Sequence, residues 1–132
     1  MTARIVETKI KLPVANTVQL PLFEQKDYQA RIQLVLDRMK DEGYDVLMVY
    51  GDREHFANLF YLTGYDPRFE ESLFIIDSDG ESILLVGNEG WDYSEVSPLK
   101  PKKILYQPFS LQGQPRNSSP SLKSIFEKMG CK

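Results

Sequence analysis

Two adjacent segments with different hydrophobic periods constrain the fold of this chain most. Across residues 24–42, apolar side chains recur at the spacing of one helix face, and Gly43 follows where such a helix would end. Residues 46–50 form a continuous apolar run between Asp45 and Gly51. The pair predicts a helix that leads directly into a strand, and the unbroken run predicts that helices cover both faces of that strand. The apolar face of the helix consists of Tyr28, Ile32, Val35, Leu36 and Met39.

The segments that follow complete an α/β pattern with a mixed sheet. Asp79-Gly80 between two apolar runs predicts a β-hairpin, after which the chain leaves the sheet at residues 87–90 and re-enters it as a further strand. The last helix has a serine-proline start. The further predicted elements are a helix over 53–60 capped by Asp52, strands over 72–76 and 82–86, a central strand over 103–106, and a helix from Ser119 to Met129.

The length of the chain fits one domain, and its single cysteine rules out a fold held together by internal disulfides. Its 132 residues fit a single globular core, which we place at residues 24–132. Residues 5–12 show a period of two, with Glu7, Lys9 and Lys11 opposite a largely apolar face, and Pro13 and Pro21 follow, so we expect an extended arm and linker over residues 1–23. The lone Cys131 cannot form an internal disulfide.

Charge and hydropathy exclude several classes of function. The net charge of −3 argues against a nucleic-acid binder, because phosphate binding depends on clustered positive charge. The chain holds no apolar stretch of the length that spans a bilayer and no apolar core of a signal peptide. We therefore expect a soluble, cytoplasmic protein without a nucleic-acid or membrane partner.

Charged residues follow the first predicted strand and precede the second. Arg53 and His55 leave the carboxyl end of the first strand, where open α/β sheets tend to bind ligands, and both can contact an anion. Helix capping by Asp52 explains the same charges without a ligand. His55 is the only histidine, and the chain lacks a Gly-x-Ser-x-Gly motif, so a catalytic triad is disfavoured.

Two further clusters have both a functional and a structural interpretation. The acidic residues around Pro67 and Phe69 can act as general acid and base or hold a metal, while ion pairing and solvation explain them equally well. Residues 87–90, Gly-Asn-Glu-Gly, lack the spacing of a phosphate-binding loop and favour a tight turn. The aromatic residues Tyr61, Tyr65, Trp91 and Tyr93 can line a peptide site or belong to the core.

Residues 24–130 together resemble the N-terminal domain of the creatinase, prolidase and aminopeptidase P group of metallopeptidases. The similarity runs through the first helix and strand, the hairpin over 72–86, and the segment from His55 to Tyr65. Its most specific part is Asn-x-x-Tyr-Leu-Thr-Gly at residues 58–64. Residues 87–91 and 112–116 resemble a bacterial branch of Xaa-Pro peptidases.

The resemblance implies a ribonuclease H-like mixed sheet flanked by helices and a role without catalysis. In this family, a C-terminal domain holds two divalent ions, usually manganese, cobalt or zinc, on two aspartates, one histidine and two glutamates. We expect that domain to be absent from the present chain, so no residue here inherits a catalytic or metal-ligand role. The family continues beyond the last predicted helix, so we also expect the sheet to lack an edge strand.

The resemblance further implies contacts rather than chemistry. We expect the domain to pair with its own C-terminal catalytic domain, to form a homodimer, and to reach the peptide substrate of a neighbouring subunit. The residues that we expect to contact substrate are Arg53, His55, Tyr65, Arg68 and Phe69. Two alternatives remain at this point: a peptide- or protein-binding pseudo-enzyme module, and the N-terminal domain of a creatinase-like amidinohydrolase.

Overall fold

A computed structural model describes residue 9 and residues 23–130 of the chain. The extended arm predicted over residues 1–23 falls almost wholly outside these residues. In chain order the helices and strands are α1 Gln25–Glu42, β1 Val46–Gly51, α2 Ala57–Thr63, β2 Ser72–Asp77, β3 Ser82–Val86, α3 Gly90–Tyr93, β4 Lys102–Leu105 and α4 Leu122–Lys128.

The four strands form one mixed sheet in the order β1-β2-β3-β4. β1 and β2 are antiparallel, β2 and β3 form the predicted hairpin, and β4 lies parallel to β3 after a crossover through α3. Asp77 shapes the hairpin turn, since its side chain accepts hydrogen bonds from the backbone N–H groups of Asp79 and Glu81. The predicted α/β class with helices flanking a mixed sheet is therefore confirmed.

The predicted first helix is also confirmed, including both of its ends. At the start, Glu24 and Asp27 form a reciprocal capping box that satisfies exposed backbone N–H groups. At the end, Gly43 adopts a left-handed conformation with φ of 71°, which a glycine tolerates without strain. Tyr28 and Met39 are buried, as the helical spacing predicts; Met39 packs in the cluster on the sheet, and the Tyr28 ring lies beside Gly64 at the end of α2.

The sheet separates two apolar clusters. The larger one lies under α1 and α2 and is centred on Leu59, Phe74 and Leu84. The smaller one lies under α4, where Ile125 packs on Ile75. Alternate residues of β2 and β3 therefore face different clusters, which explains why these two strands are buried on both sides.

β1 is not covered on both faces, contrary to the prediction from its apolar run. It is the outer strand of the sheet, and Met48 and Tyr50 are 55% and 46% exposed. The reason is the length and position of α4, which packs against Val46 and does not extend over the rest of β1. The apolar run of β1 thus serves one covered face and one open face.

The predicted start of α2 at residue 53 is wrong by one helical turn. Asp52 does not cap the helix, because its carboxylate accepts hydrogen bonds from the N–H groups of Glu54 and His55 and closes a local turn. The helix begins at Ala57 and buries Leu59, whereas Phe60, predicted on the buried side, is 44% exposed.

Two predictions near the carboxyl end also need correction. β4 was predicted as a central strand but lies at an edge: β1 pairs with the outer side of β2, β4 pairs with the outer side of β3, and no described strand pairs with the other side of β4. α4 is capped by Ser121, whose side chain accepts a hydrogen bond from the Ser124 N–H, and not by Ser119. The chain is still a loop at Ser118, whose N–H is bound to the Gln107 side chain.

No helix in the described part of the chain combines the length and the apolar character that a membrane-spanning helix needs.

Candidate functional site: a groove with arginine and phenylalanine walls

The antiparallel pairing of β1 and β2 brings two loops together at one end of the sheet. Gly51, the last residue of β1, pairs with Ser72, the first residue of β2. The turn after β1 therefore lies beside the loop before β2, although the two segments are separated in sequence. Between them lies a shallow groove of about 390 Å³, which is lined by Arg53, Phe56, Asp66, Arg68 and Phe69.

Arg68 is the best placed of these residues to bind an anionic group. Its Nε donates to the Asp66 carboxylate at 3.3 Å, and its backbone N–H donates to the Asp66 carbonyl oxygen at 2.9 Å. Among the described residues its terminal guanidinium nitrogens have no partner. These two nitrogens can therefore bind a carboxylate in the bidentate geometry that favours arginine.

A second groove of about 430 Å³ adjoins the first, and the two share Arg53 and Phe69. The loop after β4 contributes its far wall through Phe109 and Arg116. Phe69 is 65% exposed, so its ring forms an apolar ridge between the two grooves. Arginines and aromatic rings on one open surface suit an extended peptide better than a small enclosed ligand.

His55 lies beside the groove but does not line it. Its ring Nδ1 is 3.2 Å from the Asp52 carboxylate, and its backbone N–H donates to the same oxygen at 2.6 Å. The N–H groups of His55 and Glu54 together lower the pKa of Asp52. The contact is a local turn, so a substrate role for His55 stays a prediction.

Tyr65 does not fit the predicted set of substrate-contacting residues. Its side chain is fully buried in the larger core cluster, so it offers no surface to a ligand. The segment 63–65 places it there: the Thr63 hydroxyl donates to the Leu59 carbonyl oxygen at 2.7 Å and accepts from the Tyr65 N–H at 3.0 Å. Burial, followed by the nearby Glu70 carboxylate, raises the pKa of Tyr65.

The structure also reveals a carboxyl pair that the sequence analysis did not single out. Glu70 is 6% exposed and accepts hydrogen bonds from the N–H groups of Gly90 at 2.8 Å and Glu89 at 3.2 Å. The side chain of Glu89, which accepts from the Leu111 N–H at 3.4 Å, lies close enough to that of Glu70 for a hydrogen bond once one of the two carboxyl groups holds a proton. Burial, followed by the contact with Glu89, raises the pKa of Glu70 to about 7.

These acidic residues do not form a metal centre. Over residue 9 and residues 23–130, no group of three or more His, Cys, Asp and Glu side chains lies close enough to hold an ion. The oxygens of Glu70 accept hydrogen bonds from backbone N–H groups, and its side chain also contacts that of Glu89. The donor set therefore does not fit a divalent cation, and no chemical step is assigned to a metal in this domain.

The fold and the groove define a class of protein: an α/β domain with a mixed four-stranded sheet and an open groove at one end of that sheet. A scan against protein families identifies residues 31–128 as the creatinase/prolidase N-terminal domain. The chain belongs to this family, as the motif at residues 58–64 predicted. A search among curated proteins gives no match.

A comparison with solved structures supports the same fold. The chain is similar to the crystal structure of an XXA-pro aminopeptidase from Streptococcus pyogenes, with a TM-score of 0.54 and 16% sequence identity. The similarity covers 80% of this chain and 70% of that chain. At this level of identity the comparison establishes a shared architecture, and residue roles have to come from the geometry described above.

Proposed function

We propose that this chain is the non-catalytic N-terminal domain of a metal-dependent Xaa-Pro peptidase and that it guides peptide substrates towards a catalytic domain on the same polypeptide. Membership of the creatinase/prolidase N-terminal domain family supports the proposal that the whole protein is a hydrolase. The observation that supports a role in substrate access is the exposed groove lined by Arg53, Arg68 and Phe69. The two divalent ions, manganese, cobalt or zinc, belong to the catalytic domain in this proposal. The cytoplasmic location stays a prediction.

The groove offers complementary chemistry to the terminal carboxylate and to the proline ring of a short peptide. The guanidinium group of Arg68 can form paired hydrogen bonds to a terminal carboxylate. The exposed ring of Phe69 provides a flat apolar surface for a proline ring. Both contacts involve groups that are already exposed, so binding requires no rearrangement of the core. A peptide bound to the catalytic domain of a neighbouring subunit would make the same contacts with Arg68 and Phe69.

The first prediction concerns hydrolysis. We expect the 132-residue chain to leave a short Xaa-Pro peptide intact with or without manganese, and the longer polypeptide with a catalytic domain to cleave it. In that longer polypeptide, Arg68→Ala should raise KM about fivefold to tenfold, because an arginine–carboxylate contact near a surface contributes about 1 kcal/mol. Steady-state kinetics against peptide concentration measures this change.

Arg38→Ala is the matched control, because Arg38 is also an exposed arginine with one acidic partner, Glu42, but lies on α1. It should leave KM unchanged. Equal KM values for both variants and the unmodified protein would remove Arg68 from the substrate path. A longer polypeptide that binds the peptide without cleaving it would support the alternative of a peptide-binding pseudo-enzyme module.

The open side of β1 supports the proposed homodimer. Met48, Tyr50 and Tyr61 are each about half exposed and lie around the outer edge of the sheet. An outer strand with unpaired backbone groups and exposed apolar side chains is a surface that proteins commonly cover with another chain. We propose that a second copy of this domain covers it.

The second prediction tests that interface. Met48→Lys should weaken self-association about tenfold or more, because a lysine would place a charge in the buried centre of the contact. Light scattering across a range of protein concentrations measures the change. Val96→Lys is the control, since Val96 is similarly exposed at 51% but lies after α3. A chain that is monomeric at every concentration would contradict the proposed dimer.

A further inference from the structure

We propose that Glu70 and Glu89 share one proton and act as a pH-sensitive latch that holds the loop before β2 against the loop after β4. The latch joins the segments that carry Phe69 and Arg116, which line the grooves described above. It is a property of the domain itself and does not depend on what the grooves bind.

The first argument is the arrangement of donors around the two carboxyl groups. Glu70 binds the N–H groups of Glu89 and Gly90, and Glu89 binds the N–H group of Leu111. A hydrogen bond between two carboxyl side chains requires a proton on one of them. The Glu89 Oε1 atom is buried and accepts from no N–H group among the described residues, so a proton held by Glu70 supplies its missing donor.

The second argument is the backbone, which is packed directly onto the Glu70 carboxylate. A Cβ atom at Gly87 or at Gly90 would overlap the oxygens of Glu70. Only residues without side chains permit this approach, so the Gly-Asn-Glu-Gly turn is shaped around a buried carboxyl group. The turn is therefore a receptor for the Glu70 side chain.

The third argument is the connection onward to the loop after β4. The Ser110 hydroxyl accepts from the Asn88 N–H at 2.8 Å, and Arg116 donates to the carbonyl oxygens of Pro108 and Ser110. The contact with Glu70 is the largest cause that lowers the pKa of Glu89, and the N–H group of Leu111 and the charge of Arg116 act in the same direction. One carboxyl of the pair is thus stabilised as an anion, and the other has to keep its proton to remain in contact.

Over residues 23–130, the charged and titratable groups around the pair come from three segments, and none of these segments supplies a direct cationic partner to Glu70. Tyr65 faces Glu70 from its own loop, and Arg116 faces Glu89 from the loop after β4. The charged residues that line the adjoining groove are Asp52, Arg53 and Glu71. Loss of the shared proton would therefore leave two carboxylates in contact, and their repulsion would weaken the latch.

The pH window follows from the direction of each shift. Glu70 has a pKa of about 7 in the fold against an ordinary value of 4.5, so the folded state keeps a proton that the unfolded chain releases between these values. Stability therefore decreases as the pH rises from 4.5 towards 7 and then levels off. The lowered pKa of Glu89 acts in the opposite direction and only below 4.5.

The single tryptophan, Trp91, follows Gly90 directly and reports on the turn. We expect Trp91 fluorescence of the chain to show a transition centred at about pH 7, which follows from the shared proton. Glu70→Gln should abolish it, because the amide donates to Glu89 at every pH. Glu89→Gln should lower its midpoint by about one pH unit or more, since a neutral donor replaces a negative neighbour.

Two controls separate the latch from other titrations. Glu71→Gln changes the adjacent exposed glutamate and should leave the transition in place. His55→Asn removes the only histidine and should also leave it in place. An unmodified chain without a transition between pH 5.5 and 8.5, or a transition that persists in Glu70→Gln, would overturn the proposal. A transition that disappears in His55→Asn would equally overturn it.

Discussion

The substitution Phe74→Ala should destabilise the domain by about 3–5 kcal/mol, the range expected when a buried aromatic side chain is truncated. Phe74 lies in the middle of β2, has no exposed surface, and packs against Leu59 and Leu84 in the larger core cluster. The strands on both sides of β2 and the helices above it hold their positions, so the cavity cannot collapse. Urea denaturation followed by circular dichroism measures the loss.

Phe69→Ala is the matched control, because it removes the same ring from a residue that is 65% exposed. Its effect on the free energy of unfolding should stay within about 0.5 kcal/mol. The two variants therefore separate stability from the proposed binding role, since Phe69 lines the groove and Phe74 does not. Equal destabilisation by both variants would contradict the placement of Phe74 in the core.

The second large effect is expected at Gly64, the last residue of the motif at 58–64. Gly64 ends α2 with φ of 70°, and a Cβ atom there would lie 2.5 Å from the Pro98 ring and 3.0 Å from the Tyr28 ring. Gly64→Ala therefore combines backbone strain with steric overlap. We expect a loss of about 3 kcal/mol, of which left-handed strain explains about 1 and overpacking the remainder.

Gly43 provides a control with the same backbone and no steric overlap. Its φ is 71°, and a Cβ atom there would meet nothing within 4 Å. Gly43→Ala should therefore cost only the strain, about 1 kcal/mol. The difference between the two variants in urea midpoint isolates the packing of Gly64. A difference close to zero would show that Pro98 and Tyr28 move aside at little cost.

The parts of the fold that could be predicted from the sequence are those with a local physical signal. The helix over Gln25–Glu42 repeats apolar residues at its own period and ends at a glycine that adopts a positive φ. The hairpin between β2 and β3 has an Asp-Gly turn with apolar runs on either side. Both signals depend on residues close in sequence, so no knowledge of the tertiary structure was needed.

The incorrect predictions concern features that depend on distant residues. The exposure of Met48 results from the position of α4, which the β1 sequence does not encode. The edge position of β4 depends on which side of the hairpin remains open. Asp52 is a residue type that caps helices, but its carboxylate closes a local turn with Glu54 and His55, and the helix that buries Leu59 begins only at Ala57.

The candidate site was predictable only in part. Arg53, Arg68 and Phe69 meet at one groove because the pairing of β1 with β2 joins their loops. Tyr65 was expected to contact substrate because the resemblance places the loop after Gly64 near the substrate, whereas the turn at Thr63 and Gly64 leaves its side chain buried in the core. Only one sequence feature pointed to the contact between Glu70 and Glu89, namely the glycines at 87 and 90. These two glycines were interpreted as a tight turn and nothing more.

The two apolar clusters on opposite faces of the sheet imply that the two faces of the domain differ in their resistance to local unfolding. The cluster under α4 depends on a helix of seven residues, whereas the other is sealed by the eighteen-residue α1 together with α2. Detachment of α4 would leave the larger cluster and the whole sheet intact. The groove between Arg68 and Phe69 lies at the ends of β1 and β2, so its walls would survive transient openings of α4, whereas Phe109 in the far wall of the second groove packs on the smaller cluster and would be loosened by them.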